Sequence, residues 1–305
     1  MKRMIALLLC GLILLPLLAA CANGTPEETE KPAETTAAPE TEPETEPETA
    51  PETEPETAPP AVTELKEGAW NNSNTLKEAQ KFSLPYQIYL PAGYTPEKSY
   101  PVLFYLHGNG SRGTNNTTQI SNDSAEILKR IRANAAYKGE VIMIAPQCST
   151  ATQWVSCDYK VGNYTSTAKP AACLQTAIEI FDYWTAMLST DPARYYLYGN
   201  SMGGFACWDL MARFPDRFAA AVIVAGCGDL AKAPEIKDLA IWIHHGTVDP
   251  TVPYSGNEKM YNALKEAGAG DNVILTSYPG KGHTIFKEVG ASSAVLKWLF
   301  EQKKG

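Results

Sequence analysis

Five residues, Gly199-Asn200-Ser201-Met202-Gly203, set a serine between two glycines at the spacing G-x-S-x-G. A serine hydroxyl is a weak nucleophile at neutral pH. It needs a base within hydrogen-bond reach and an acid that orients the base. Tyr195–Tyr198 before it is a short apolar run, and Phe205–Phe214 after it suits a helix, so the spacing predicts a strand, a tight turn and a helix. Such a turn brings together the residues two before and two after the serine, leaving no room for side chains there. It also sets Ser201 at a helix N-terminus, where amide N–H groups and the helix dipole favour negative charge. At ordinary glycine usage a chain with fifteen serines shows this flanking by accident roughly 7% of the time, so the serine needs partners elsewhere.

The base must come from four histidines. His107, His244 and His245 end apolar runs just before a glycine and read as packed rings satisfied by backbone. His283 stands instead in Pro279-Gly280-Lys281-Gly282-His283-Thr284, a glycine-rich loop that presents one imidazole, and reads as the base. For the acid, Gly246-Thr247-Val248-Asp249-Pro250 follows the apolar run Ile241–His245. Asp249 gives the chain order Ser201, Asp249, His283, which is the order found with this kind of elbow. Asp229 is its rival, and capping a turn before Pro250 is the other reading of Asp249. Attack on a carbonyl creates an oxyanion that needs preorganised N–H donors. The amide of Met202 and that of Asn109, with Gly110 next in line, are the candidates. Such chemistry needs no metal and no organic cofactor, and no C-x-x-C pair suggests a zinc or redox site.

These residues must be held by regular elements. Strands are expected at Leu84–Leu90, Val102–Leu106, Val141–Ala145, the elbow strand, Ala219–Ala225, Leu239–His245 and 272–278. Helices are expected near 122–137, 170–188, after Ser201, and at 255–267 and 290–302. Short apolar strands alternating with helices imply an α/β fold, a mostly parallel sheet with helices on both faces. Loops after the strand ends then gather along one edge, where such sheets carry their sites.

The stretches LHGNGSRG (106–113), APQC (145–148), GNSMGGFACWDLMARFPDRFAAAV (199–222), HHGTVDPTVP (244–253) and YPGKGH (278–283) resemble an α/β-hydrolase-fold serine esterase. The group is that of bacterial secreted feruloyl/acetylxylan and polyhydroxybutyrate-depolymerase-like esterases. The resemblance spans almost all of residues 61–305 and implies Ser201, Asp249 and His283 as the triad, with Asn200 a departure from the family's usual small or apolar residue. Among loop residues, Arg112, Gln147, Trp154 and Tyr164 are candidates for the acyl or sugar pocket. Trp154 leads because aromatic rings stack on flat ligands, while Trp208 reads as core.

The N-terminal part is of another kind. Lys2 and Arg3, an apolar run from Ile5 to Ala20 and a small-residue ending describe a secretion signal over 1–20. Leu18-Ala19-Ala20-Cys21 resembles the lipobox of bacterial lipoproteins, which implies lipid attachment at Cys21 and a place on the extracellular face of the bacterial membrane. Residues 21–60 are Glu, Thr, Pro and Ala with recurring Thr-Glu-Pro-Glu, a composition that builds no core and reads as a disordered tether. Twelve Glu and one Lys put −11 on this tether and Lys2 and Arg3 add +2, so the formal −8 of the chain leaves +1 on residues 61–305. That part therefore offers no basic stripe for nucleic acid. Five cysteines lie beyond Cys21, an odd number, so buried free thiols are expected, with a Cys148–Cys157 bridge as the alternative. The reading is a surface-tethered serine ester hydrolase for esters of plant cell-wall polysaccharide, feruloyl or acetyl. A serine peptidase of the same fold and a non-catalytic surface binding protein are the alternatives.

Overall fold

The computed structural model describes residues 65–76, 81–134, 137 and 139–305. The expected signal, Cys21 and the tether lie outside the described residues. Eight strands form one sheet: β1 (Ala69–Asn72), β2 (Tyr86–Leu90), β3 (Tyr100–Leu106), β4 (Ile142–Pro146), β5 (Thr190–Asn200), β6 (Ala220–Val224), β7 (Ala240–Gly246) and β8 (Val273–Tyr278). Their spatial order is β1-β2-β4-β3-β5-β6-β7-β8. β2 runs antiparallel to both β1 and β4, and every other neighbouring pair is parallel.

The helices are α1 (Asp123–Ala133), α2 (Ala172–Met187), α3 (Met202–Arg213), the single turn α4 (Ala233–Ile236), α5 (Tyr254–Glu266), α6 (Phe286–Gly290) and α7 (Ser293–Glu301). The strands are apolar throughout because both faces of the sheet are covered. Alternation along β3 sends Val102, Phe104 and Leu106 to one core with α2, α3 and α5. Leu103 and Tyr105 enter the other core with α1, α6 and α7. The sandwich of helices on both faces is thus as the strand and helix pattern implies.

β1 was not expected, and β5 starts earlier than its apolar part. Pro192 falls inside β5, where the pairing with β3 shifts register between Tyr100 and Val102. A proline lacks the N–H that a regular ladder needs, and the irregularity accommodates it. The strand ends that matter are level with one another: Leu106 pairs with Gly199, Asn200 with Val224, Val224 with His244 and Gly246 with Tyr278. The loops that leave β3, β5, β7 and β8 therefore emerge side by side. Cys148, Cys157, Cys173, Cys207 and Cys227 are all free thiols, without a Cys148–Cys157 bridge.

Candidate active site

Ser201 sits between β5 and α3 with φ 52° and ψ −117°, a left-handed conformation that costs a non-glycine residue about 1–3 kcal/mol. The flanking glycines are what make the turn fit. A Cβ on Gly199 would lie 2.2 Å from the Gly203 carbonyl oxygen, and one on Gly203 would lie 1.8 Å from that of Leu106. Both distances are far inside van der Waals contact, so the end of β3 and the elbow touch backbone to backbone.

The parallel strands bring the three sequence-chosen residues together. Ser201 Oγ lies 2.8 Å from His283 Nε2, and His283 Nδ1 lies 2.7 Å from Asp249 Oδ2. Because the carboxylate only accepts, His283 donates from Nδ1, which leaves Nε2 free to accept the serine proton. The Asp249 side chain is fully buried and that of His283 is 15% exposed, so the base alone faces solvent. Their loops are laced to each other: Val248 N donates to Lys281 O, Thr247 N to Tyr278 O, and Gly280 N to Thr247 Oγ1. The Phe286 ring stands perpendicular to His283 with centroids 5.0 Å apart and limits its rotation.

Asp249 is held on both oxygens. Oδ1 accepts from the amides of Thr251 and Val252 at 2.8 and 3.0 Å, and Oδ2 accepts from His283 and, at 3.1 Å, from His245 Nε2. Burial pushes the carboxyl up, but these bonds, from His245 and His283 and then the two amides, outweigh it. They hold Asp249 well below the usual carboxylate range. Asp229 is elsewhere: its side chain accepts from Ser166 N and Ala231 N and caps a turn.

Met202 and Asn109 are each the first residue of a helical turn, so their N–H groups have no acceptor within it. The loop after β3 packs on the elbow, since a Cβ on Gly108 would lie 3.5 Å from Ser201 Cβ. Asn109, Gly110, Ser201 and His283 share a cleft of about 1050 Å³. Its lining also includes Asp123, Glu126, Lys129, Lys287, Gln153 and Tyr159. Among the described residues no three His, Cys, Asp or Glu side chains converge on a metal position.

A family model described as "Putative esterase" matches residues 77–302. The chain belongs to this esterase family. A solved thermostable esterase is 29% identical with a TM-score of 0.64, over 72% of this chain and 59% of that one, so the chain spans less than two thirds of that protein's length. Two more distant structures share the fold. One is a feruloyl esterase module from Clostridium thermocellum, complexed with sinapinate (17% identity, TM-score 0.51, 72% of this chain and 84% of that one). The other is an S-formylglutathione hydrolase from Staphylococcus aureus (16% identity, TM-score 0.53, 72% of this chain and 90% of that one).

Other loop residues of the chain are not where they were expected. Trp154 is fully buried, donates from Nε1 to His107 O at 3.0 Å, and packs on the His107 ring. Gln147 is also buried; it accepts from Asn116 N and donates to Ser111 O, Asn115 Oδ1 and Thr118 Oγ1. Arg112 donates to the carbonyls of Thr150 and Thr152. None of the three lines the cleft. Each spends its polar atoms tying the loop after β3 to the segment after β4, a scaffold for the Asn109 amide instead of a substrate contact. Tyr164 likewise donates to Asp209 at 2.6 Å, and Trp208 is core.

The histidines set aside by elimination divide. His107 donates from Nδ1 to Gly108 O and accepts at Nε2 from Cys148 N, and burial pushes it down to about 4. His244 bonds Tyr278 and is pushed by burial down to about 3. His245 was read as a backbone-satisfied ring, yet it bonds Asp249 itself. Asp123 was also missed. It lines the cleft and accepts at 3.0 Å from Nδ2 of Asn200, the residue before the serine.

Proposed function

We propose that this chain is a surface-tethered serine hydrolase that cleaves carboxylic esters of plant cell-wall polysaccharide through an acyl-enzyme. What carries the reading is the line Asp249–His283–Ser201, with bonds of 2.7 and 2.8 Å, ending in an open cleft beside two helix-start amides. His283 takes the proton of Ser201 as Oγ attacks the ester carbonyl, and the Met202 and Asn109 amides receive the oxyanion. Collapse expels the alcohol, which takes the proton back from His283. Water, deprotonated by the same ring, then releases the acid. A cleft lined by two carboxylates and two ammonium groups, with no net charge, suits a neutral, hydroxyl-rich alcohol. Feruloyl and acetyl esters are the acyl groups of choice, and the fold shared with the Clostridium thermocellum feruloyl esterase module is in keeping with them.

The test sets residues 61–305 and its Ser201→Ala variant against p-nitrophenyl acetate, methyl ferulate, acetylated xylan and a peptide panel. Loss of ester turnover in the variant is expected, and equal turnover by both proteins sinks the nucleophile assignment. Release of acetate from acetylated xylan or of ferulate from methyl ferulate is expected of the wild type, and inactivity on both rejects that substrate class. For the tether, Cys21→Ala in the full chain is expected to leave the membrane fraction, and retention there ends the lipid-anchor reading.

A further inference from the structure

The loop that supplies Asp249 also supplies a second imidazole. His245 is fully buried, and its Nε2 lies 3.1 Å from Asp249 Oδ2 and 3.0 Å from Val252 O. Both partners only accept, so Nε2 carries the hydrogen and shares it between them. On the far side of the ring, Nδ1 lies 3.1 Å from Asn257 Nδ2. The direction of that amide is itself fixed, because Asn257 Oδ1 accepts from Trp208 Nε1 at 3.2 Å and an indole nitrogen can only donate. Asn257 therefore turns its NH₂ to His245, Nδ1 must be the bare nitrogen, and the proton must be on Nε2. Trp208 and Asn257 are buried as well. The chain of donors runs one way, Trp208 to Asn257 to His245 to Asp249, and no member of it touches the cleft.

The geometry points to His245 as a positioning residue of the esterase reaction. It holds Asp249 Oδ2 in the plane of His283 and draws off part of the carboxylate charge that His283 would otherwise feel. The inference rests on the esterase reading above. The carboxylate would rotate about Cβ–Cγ if held only on Oδ1; a second donor on Oδ2 removes that freedom and keeps the 2.7 Å bond to His283 aligned. The other titratable groups around the pair are His283, Tyr254, whose ring stands perpendicular to His245 at 5.7 Å, and Cys227, whose thiol burial pushes up to about 12. Near neutral pH the Cys227 thiol is uncharged, so it adds no charge beside the pair.

Glutamine places its Nε2 near the position of the imidazole Nε2 and keeps a donor to Asp249, whereas leucine removes it. With p-nitrophenyl acetate, His245→Leu is expected to lose about 10- to 100-fold in kcat, the rate equivalent of one charge-assisted hydrogen bond, with KM little changed. Its acid limb of kcat/KM is expected to move to higher pH, because an Asp249 stripped of one donor holds the His283 proton more strongly. His245→Gln is expected to recover most of the rate and the wild-type profile. Labelling with a fluorophosphonate counts the folded, reactive Ser201 in each preparation. A folded His245→Leu with wild-type kcat and profile overturns the inference, as does an equal loss in both variants. Should the leucine variant not fold, ¹⁵N-labelled wild type decides: an Nε2–H His245 is expected, and an Nδ1–H His245 overturns it. Failure of the esterase reading is a separate result, since wild type and Ser201→Ala would then turn over equally.

Discussion

Asp249 accepts four hydrogen bonds, two on each oxygen, so asparagine in its place does more than remove a charge. Whichever way the amide turns, its NH₂ meets donors: turned to His283 it removes the acceptor of Nδ1 and favours the wrong tautomer, and turned away it opposes the Thr251 and Val252 amides. Asp249→Asn is expected to lower kcat on the order of 10³–10⁴-fold with little change in KM, measured on p-nitrophenyl acetate. Asp229→Asn keeps an oxygen for Ser166 or Ala231 and is expected to leave kcat unchanged; a large loss there would return the acid role to Asp229. Ser201, Asp249 and His283 were legible in the chain because each stands on a turn just after an apolar run, a local feature. Arg112, Gln147 and Trp154 stand on similar loops, but their targets are carbonyls, an amide and a hydroxyl 29 to 47 residues away. Whether a loop side chain aims at a cleft or at another loop depends on how the strands pair, which no local pattern records. His245 escaped for the same reason: as the neighbour of His244 at a strand end it looked like core, and only the return of the loop through Asp249 and Val252 reveals its partners.

At the scale of the element, the elbow helix leans on β3 at Gly203. Gly203→Ala needs a Cβ 1.8 Å from Leu106 O, and rigid backbone cannot yield that distance. The substitution is expected to cost more than about 3 kcal/mol, seen as insoluble protein or a collapsed melting temperature. Gly110→Ala, with nothing within 4 Å of the added carbon, is expected to melt within a degree or two of wild type. Gln147→Leu cuts four hydrogen bonds between the β3 loop and its support, and is expected to lower kcat roughly tenfold by loosening the Asn109 amide. The buried parallel strands and most helices were readable from apolar runs and helical spacing. β1 was not, because Ala69-Trp70-Asn71-Asn72 is short and half polar and becomes a strand only by pairing with β2. The early start of β5 was hidden by Pro192, which argues against a strand unless a register break receives it.

At the scale of the whole molecule, two buried rings outside the triad make acid costly. His107 and His244 are held neutral by burial, down to about 4 and about 3 from the ordinary 6.5. Between those values and 6.5 the unfolded chain binds protons that the folded one refuses, so their contribution is intact above pH 6.5 and is lost as pH falls. Each costs about 1.4 kcal/mol per pH unit over that window. Asp249 adds its own loss only below 3.8, its ordinary value. Urea unfolding at pH 6.5, 5.5 and 4.5 is expected to show falling stability, with a shallower slope in His244→Phe; a flat profile would mean the rings are not buried neutral. The bond from Asn200 to Asp123 has a different reach. It joins the residue beside Ser201 to α1, which contributes neither Ser201, Asp249 nor His283 and otherwise lines the cleft. Helix α1 alone, leaving in place Asn115, Asn116 and Thr118 that hold Gln147, is therefore the natural unit to exchange with a relative when altering substrate range. Position 123 is the exception, since it must travel as a matched pair with position 200.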